Sequence, residues 1–260
     1  MAGSPLPADW KKSVILIEER RGDTTNPIGT GFLVEYETAN VLLTCRHVVF
    51  DARTDKLRDI VFAHNSKTGS VVRRAHSDIQ KGLDWVFHPS EAVDLAATLF
   101  GYDPLAEEPL RIGPDLWAPT TEVEEGEDLL YLGFPLGIRQ ADKIRPVVRS
   151  GVVALILPGE NLLMDASVSP GNSGSPVFLK PSIIDWKTKS LGTISPAKLL
   201  GMVTASLQVP EVATSEITGR PRVIFEENSG LAAVVGCRYF DELFASTKFQ
   251  DQYAKFVTSK

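Results

Sequence analysis

What constrains this chain most is punctuation. Apolar runs rich in Val, Ile, Leu and Thr recur along it, and each is soon cut by Gly, Pro, Asn or Asp: SVILIEE (Ser13 to Glu19), TGFLVEY (Thr30 to Tyr36), VLLTC (Val41 to Cys45), DIVFAH (Asp59 to His64) and LAATLF (Leu95 to Phe100). DLLYLGF (Asp128 to Phe134), SGVVALIL (Ser150 to Leu157), LLMDA (Leu162 to Ala166), PVFL (Pro176 to Leu179) and LLGMVTASL (Leu199 to Leu207) continue the series. Such runs have the length of strands, whereas globular helices need roughly ten residues or more. The spacing predicts a mostly β protein, a sandwich or a barrel. It suits an alternating arrangement of strands and helices less well.

The tail differs. From Tyr239 to Val257 the apolar residues Phe240, Leu243, Phe244, Tyr253, Phe256 and Val257 fall at three- and four-residue steps between charges, which predicts a terminal helix. Between Leu110 and Gly126 the segment is rich in Pro, Gly and acids, the composition of a connection between two β halves. The expected organisation is a first β unit over 11–112, a linker over 113–127, a second β unit over 128–237 and a helix over 238–260. Two stretches, Lys180 to Ala197 and Val209 to Asn228, are long for hairpin loops, and long loops tend to be functional or mobile.

Composition narrows the partners. With 27 Lys and Arg against 33 Asp and Glu the net charge is −6, and the paired basics Arg20-Arg21 and Arg73-Arg74 do not extend into a run, so nucleic acid is not an expected partner. No segment approaches the roughly 18 consecutive apolar residues of a membrane span. The N-terminus lacks a basic stretch leading into an apolar one. A cytoplasmic protein is the resulting expectation. The two cysteines, Cys45 and Cys237, are expected to be free thiols.

The chemistry gathers at PGNSGSPVF, Pro170 to Phe178. Gly and Pro ahead of an apolar run mark a turn entering a strand. Ser173, set between Asn172 and Gly174, could there project its hydroxyl while neighbouring N–H groups converge, which is the geometry of an acyl-transfer nucleophile. A serine hydroxyl needs a base, and the base needs an acid to orient it. Of the four histidines, His47 in LLTCRHVV directly follows an apolar strand, a setting that His64, His76 and His88 lack. Asp94 in SEAVDLAATLF stands at the entrance to another strand, where a poorly solvated carboxylate needs a donor; Asp84 in GLDWVF is the competing choice. No Cys/His spacing suggests zinc and no loop suggests phosphate cradling, so neither metal nor cofactor is expected.

These blocks carry a resemblance. The chain is similar to chymotrypsin-fold (trypsin-like) serine proteases, and most of all to their bacterial HtrA/Deg branch: GTGFLVE, TCRHVV around His47, DLAATL after Asp94, LGFPLG at Leu132 to Gly137, and DASVSPGNSGSPVF around Ser173. The resemblance implies two six-stranded antiparallel β-barrels with the catalytic groups between them and a C-terminal α-helix. It implies Ser173 as nucleophile, His47 as general base and Asp94 as the orienting acid. It implies an oxyanion hole from the N–H groups of Gly171 and Ser173, with Asn172 shaping the turn. Ser167 falls at the base of the primary specificity pocket, and Thr204, Ala205 and Ser206 fall along its wall. With no acid at that base, the side chain before the cleaved bond is expected to be small or medium-sized and apolar.

Departures accompany the match. Val48 and Val49 stand where digestive relatives place a disulfide cysteine, and Cys45 reads as a small buried apolar residue. A stand-alone module, or one excised from a longer protein, is expected, without the PDZ domain of a typical Deg protease. The expected partner is a polypeptide substrate, together with a regulatory protein that, with the long loops, switches the site. The alternative is a latent scaffold that binds peptide or protein in the same cleft. An esterase fits less well, because Gly171-Asn172-Ser173-Gly174-Ser175 lacks the last glycine of a nucleophile elbow.

Overall fold

The computed structural model describes residues 8–258, apart from 80–82, 104, 108, 141, 183, 186–189 and 192–196. In the first half the runs named above become strands, because their β-branched residues bury between a sheet and what covers it. They are β1 (Val14–Arg21), β2 (Thr24–Tyr36), β3 (Ala39–Thr44), the short pair β4 (Phe50–Asp51) and β5 (Lys56–Leu57), β6 (Ile60–Asn65), β7 (Val71–Ala75), β8 (Val86–Phe87) and β9 (Ala96–Leu99). One-turn helices α1 (Arg46–Val49) and α2 (His76–Ile79) interrupt them. Seven of these strands form one antiparallel sheet in the order β7-β6-β1-β2-β3-β9-β8. Every residue of β3 is buried, so the strand that ends just before Cys45 and His47 is anchored on both faces.

The second half closes on itself. Here β10 (Asp128–Gly133), β11 (Val147–Leu157), β12 (Asn161–Asp165), β13 (Pro176–Leu179), β16 (Lys198–Thr214) and β17 (Pro221–Gly236) form a closed barrel in the order β10-β11-β12-β17-β16-β13. The remaining strands, β14 (Ile184–Asp185) and β15 (Ser190–Leu191), pair only with each other. The fold is therefore all-β with two barrels, as expected, except that the sheet of the first carries seven strands rather than six. A separate core of Leu129, Tyr131, Leu162, Met164, Val177, Val203 and Val234 fills the second barrel.

The tail forms two helices, α3 (Arg238–Phe244) and α4 (Thr247–Thr258), where a single one was expected. Ser246 marks the break: its Oγ accepts the N–H of Phe249 at 3.3 Å, a capping contact that starts a new helix. Both helices fold back onto the first barrel. Tyr36 packs against Phe244, Phe249 and Tyr253 with ring centroids 5.0, 5.1 and 5.2 Å away. Phe240 meets Phe32 edge-on at 6.0 Å. Among the described residues no helix is long and apolar enough to cross a membrane.

The expectation of a long loop over Val209 to Asn228 is corrected. This segment is the outer part of the β16–β17 hairpin, paired from Gln208↔Asn228 through Val212↔Ile224 to Thr214↔Pro221. The β-branched residues Val209, Val212, Val223 and Ile224 favour the extended backbone, and Gly219, at φ +63°, turns the tip. The other long stretch, 180–197, lies largely outside the described residues.

Candidate active site

Two strand ends of the first barrel hold the residues expected to be base and acid. His47 stands in the single turn of α1 that follows β3, and Asp94 stands two residues before β9, the neighbour of β3 in the sheet. Adjacent strands thus deliver the two side chains to one spot. His47 Nδ1 lies 2.5 Å from Asp94 Oδ2, and the His47 backbone N–H donates to Asp94 Oδ1 at 3.0 Å. Burial alone would raise the Asp94 carboxyl, but the imidazole and the backbone N–H groups of His47 and Arg46 outweigh it and leave the acid below its ordinary range. Asp94 is therefore a carboxylate that accepts from Nδ1–H, and Nε2 is the ring's free nitrogen.

Cys45 completes the setting from beneath. It is fully buried, and its Sγ donates to the Val203 carbonyl at 3.3 Å. Its sulfur, His47 and Asp94 offer ligand atoms within 4.8 Å of one another, the composition of a metal site. The chemistry opposes that use: burial, reinforced by the Asp94 charge, pushes the thiol well above its ordinary value, whereas a metal ligand is a thiolate. Nδ1 is also already committed to Asp94.

The second barrel delivers the serine on the turn Pro170–Ser175, just before β13. Gly171 has φ +97° and Gly174 φ +87°, a region closed to most side chains. Space is equally decisive, since a β-carbon on Gly171 would overlap the Phe134 carbonyl oxygen and one on Gly174 would overlap that of Thr30. The Asn172 N–H donates to Ser169 O at 3.0 Å and the Ser175 N–H to Asn172 O at 2.9 Å. The N–H groups of Gly171 and Ser173 donate to no acceptor among the described residues, so two donors remain on either side of Asn172. That residue is fully buried.

His47, Asp94 and Ser173 line one cleft together with Thr204, Ala205 and Ser206. The hydrogen bond between His47 Nε2 and Ser173 Oγ is not formed; such bonds commonly close only as substrate binds. Ser167, expected at the pocket base, is exposed and does not line the cleft. Its carbonyl accepts from the Tyr131 hydroxyl at 2.8 Å, and the neighbouring Val168 lines the cleft instead. The competing residues are elsewhere. Asp84 meets Gln252 through its backbone, His64 pairs with Glu107 at 2.9 Å, His76 stacks on Trp85 at 5.0 Å, and His88 packs edge-on to Tyr239 at 5.5 Å.

Sequence reasoning missed two contributions. Thr30, in GTGF, ties the barrels together: its N–H donates to Ser173 O at 2.9 Å, its Oγ1 donates to Gly171 O at 2.7 Å, and Oγ1 accepts the Phe134 N–H at 3.1 Å. A small hydroxyl residue between two glycines was the available signal. The β16–β17 hairpin also brings Gln208, Glu226 and Asn228 to the cleft, and reading 209–228 as a loop hid their strand alternation.

The model of the trypsin-like peptidase domain family matches residues 29–181, and the chain belongs to that family. Among solved structures it is similar to Deg5, with 18% identity and a TM-score of 0.50 over 76% of this chain and 81% of that one. It is also similar to the serine endoprotease from Yersinia pestis, with 16% identity and a TM-score of 0.53 over 94% of this chain. It spans 65% of the Yersinia protein's length. At these identities the likeness concerns the fold. No curated protein matches it in sequence.

Proposed function

We propose that this protein is a serine endopeptidase that hydrolyses peptide bonds through an acyl-enzyme. The observation that carries the reading is the double attachment of His47 to Asp94, at 2.5 and 3.0 Å, in the cleft that Ser173 lines. As Ser173 Oγ attacks the scissile carbonyl, Nε2 takes its proton, and Asp94 stabilises the imidazolium that results. The N–H groups of Gly171 and Ser173 receive the negative oxygen, each worth about 3 kcal/mol in the transition state. Nε2 then passes the proton to the leaving amine, and a water repeats the sequence to free the acid. Ser206 and Ala205 offer a strand edge to the substrate, and Val168 beside them favours a small or medium apolar side chain before the cleaved bond. A peptide library tests this preference; dominant cleavage after Lys or Arg opposes it.

The unformed Nε2–Oγ bond favours one second reading, a latent fold that binds a polypeptide in the cleft and cleaves only when a partner closes the site. Casein and p-nitrophenyl acetate, assayed side by side with and without Ser173→Ala, separate the possibilities. The proposal expects casein cleavage that vanishes in the variant. Ester hydrolysis without casein cleavage points to an esterase, and neither activity points to the latent form.

A further inference from the structure

The cleft does not end with the second barrel. From it β16 and β17 run out as a two-stranded arm, paired from Gln208↔Asn228 through Pro210↔Glu226 and Val212↔Ile224, with no break in register between Gln208 and Ala213. On one side β16 pairs with β13 only as far as Met202, and on the other β17 pairs with β12 only from Leu231 onward. Among the described residues no third strand flanks the arm. Partners in an antiparallel pair share a face, and faces alternate along each strand. Gln208, Glu226 and Asn228 line the cleft, so the same face carries Pro210, Val212 and Ile224 further out. Val212 and Ile224 are each more than half exposed. One face therefore leads from the serine past two amides and a carboxylate to an apolar pair.

Glu226 says what runs along that face. Asp94, the other acid of the cleft, is committed to His47, and among the described residues no Lys or Arg lines the cleft. Glu226 is exposed, and its carboxylate makes no ion pair or hydrogen bond among the described residues. The nearest cation along its own strand, Arg222, is four residues off, about 13 Å at the rise of a strand. A lone carboxylate at the wall of a peptide cleft attracts a basic side chain and repels an acidic one.

Pro210 opposes a different occupant. A second copy that added its own arm edge to edge would use an unbroken row of N–H groups, and Pro210 has none to give. Side-chain contacts with an extended segment need no such row. A segment that meets the Ala205–Ser206 edge in the antiparallel sense, the more stable one, sends its N-terminal residues out along the arm.

We propose that Glu226 determines specificity for a polypeptide substrate: it takes a Lys or Arg side chain that precedes the cleaved bond, while Val212 and Ile224 take an apolar side chain two residues further toward the N-terminus. The place of the cleaved bond rests on the peptidase reading above; the binding does not. Fluorescence anisotropy of full-length Ser173→Ala, titrated with extended peptides that carry Lys, Gln or Glu at each position in turn, tests the binding. At one position Lys is expected to bind about threefold more tightly than Gln, the scale of a partly exposed ion pair, and about tenfold more tightly than Glu. High salt shrinks the preference. Glu226→Gln on the same background abolishes it and Glu226→Lys inverts it, both at an exposed position.

The absence of any preferred position, or a preference that survives Glu226→Gln, overturns the proposal. Val212→Ser/Ile224→Ser is expected to weaken severalfold only those peptides long enough to reach the apolar pair. Sedimentation of wild type and this double variant tests the competing occupant: a dimer that the double variant dissociates shows a second copy on this face and overturns the proposal. For wild type, kcat/KM on the same peptides is expected to place the basic residue before the cleaved bond, and a place after it overturns the assignment. Were no peptide cleaved while binding kept its dependence on Glu226, the peptidase reading would fall and the role of the carboxylate in binding would stand.

Discussion

The two barrels meet at the cleft with opposite strategies. The first fixes its proposed catalytic groups by pairing them with each other: adjacent strands β3 and β9 place His47 and Asp94 in mutual hydrogen bonds. The second fixes its serine by backbone shape, with left-handed glycines packed against carbonyls of Phe134 and Thr30. The first arrangement is side-chain electrostatics and tolerates no change of charge. The second is steric and tolerates no added carbon. The difference teaches where each half is vulnerable, and Thr30, buried between them, is where the two vulnerabilities join.

The largest break in this comparison is His47→Ala, which removes the base while leaving the glycine-shaped turn intact. Casein hydrolysis is expected to fall roughly a millionfold, the loss typical of a missing triad member, with a melting temperature lowered only slightly, by the loss of the imidazole that holds the partly buried Asp94 carboxylate. Asp94→Asn comes next: it keeps the shape but can no longer accept from Nδ1–H, and turnover is expected to drop about 10⁴-fold. Thr30→Val strikes the junction. It leaves the Gly171 carbonyl and the Phe134 N–H without their partner, at about 1–3 kcal/mol for each group, so the melting temperature and the Ser173 labelling rate should fall together, the latter about tenfold. An effect on stability alone would separate the barrels' packing from the oxyanion turn.

The smallest effect concerns acid. The Asp94 carboxyl is held below its ordinary value in the folded chain, despite burial, by the imidazole and N–H groups around it. Its contribution to stability is therefore fully present above the unfolded carboxyl's value of about 3.9 and is lost as pH falls through the lower folded value. Denaturant melts between neutral pH and pH 2 should show a shallower acid decline for Asp94→Asn than for wild type.

How much of this was legible in the sequence follows from the range of the forces. The strands were legible because β-branched runs cut by turn residues are a local signal, and PGNSGSP was legible because only glycine satisfies its backbone. His47 stood out by its place after a buried strand. The paired strands of 209–228 were not legible, since their apolar residues bury little: Val212, Ile224 and Phe225 remain 51, 63 and 53% exposed, so the run lacked the character of a core strand. Thr30 gave only the weak signal of a small hydroxyl residue between two glycines, because its partners lie more than a hundred residues away. The break of the tail at Ser246 hinged on one capping hydroxyl within an otherwise continuous helical pattern.

The central claim is that the imidazole held by the first barrel activates the serine presented by the second. Intact-mass and peptide-mapped labelling with a fluorophosphonate tests it most directly. The account expects a single adduct on Ser173, formed by wild type and lost in His47→Ala. An adduct on another residue, labelling that persists without the imidazole, or no labelling even in the presence of a polypeptide substrate would contradict it.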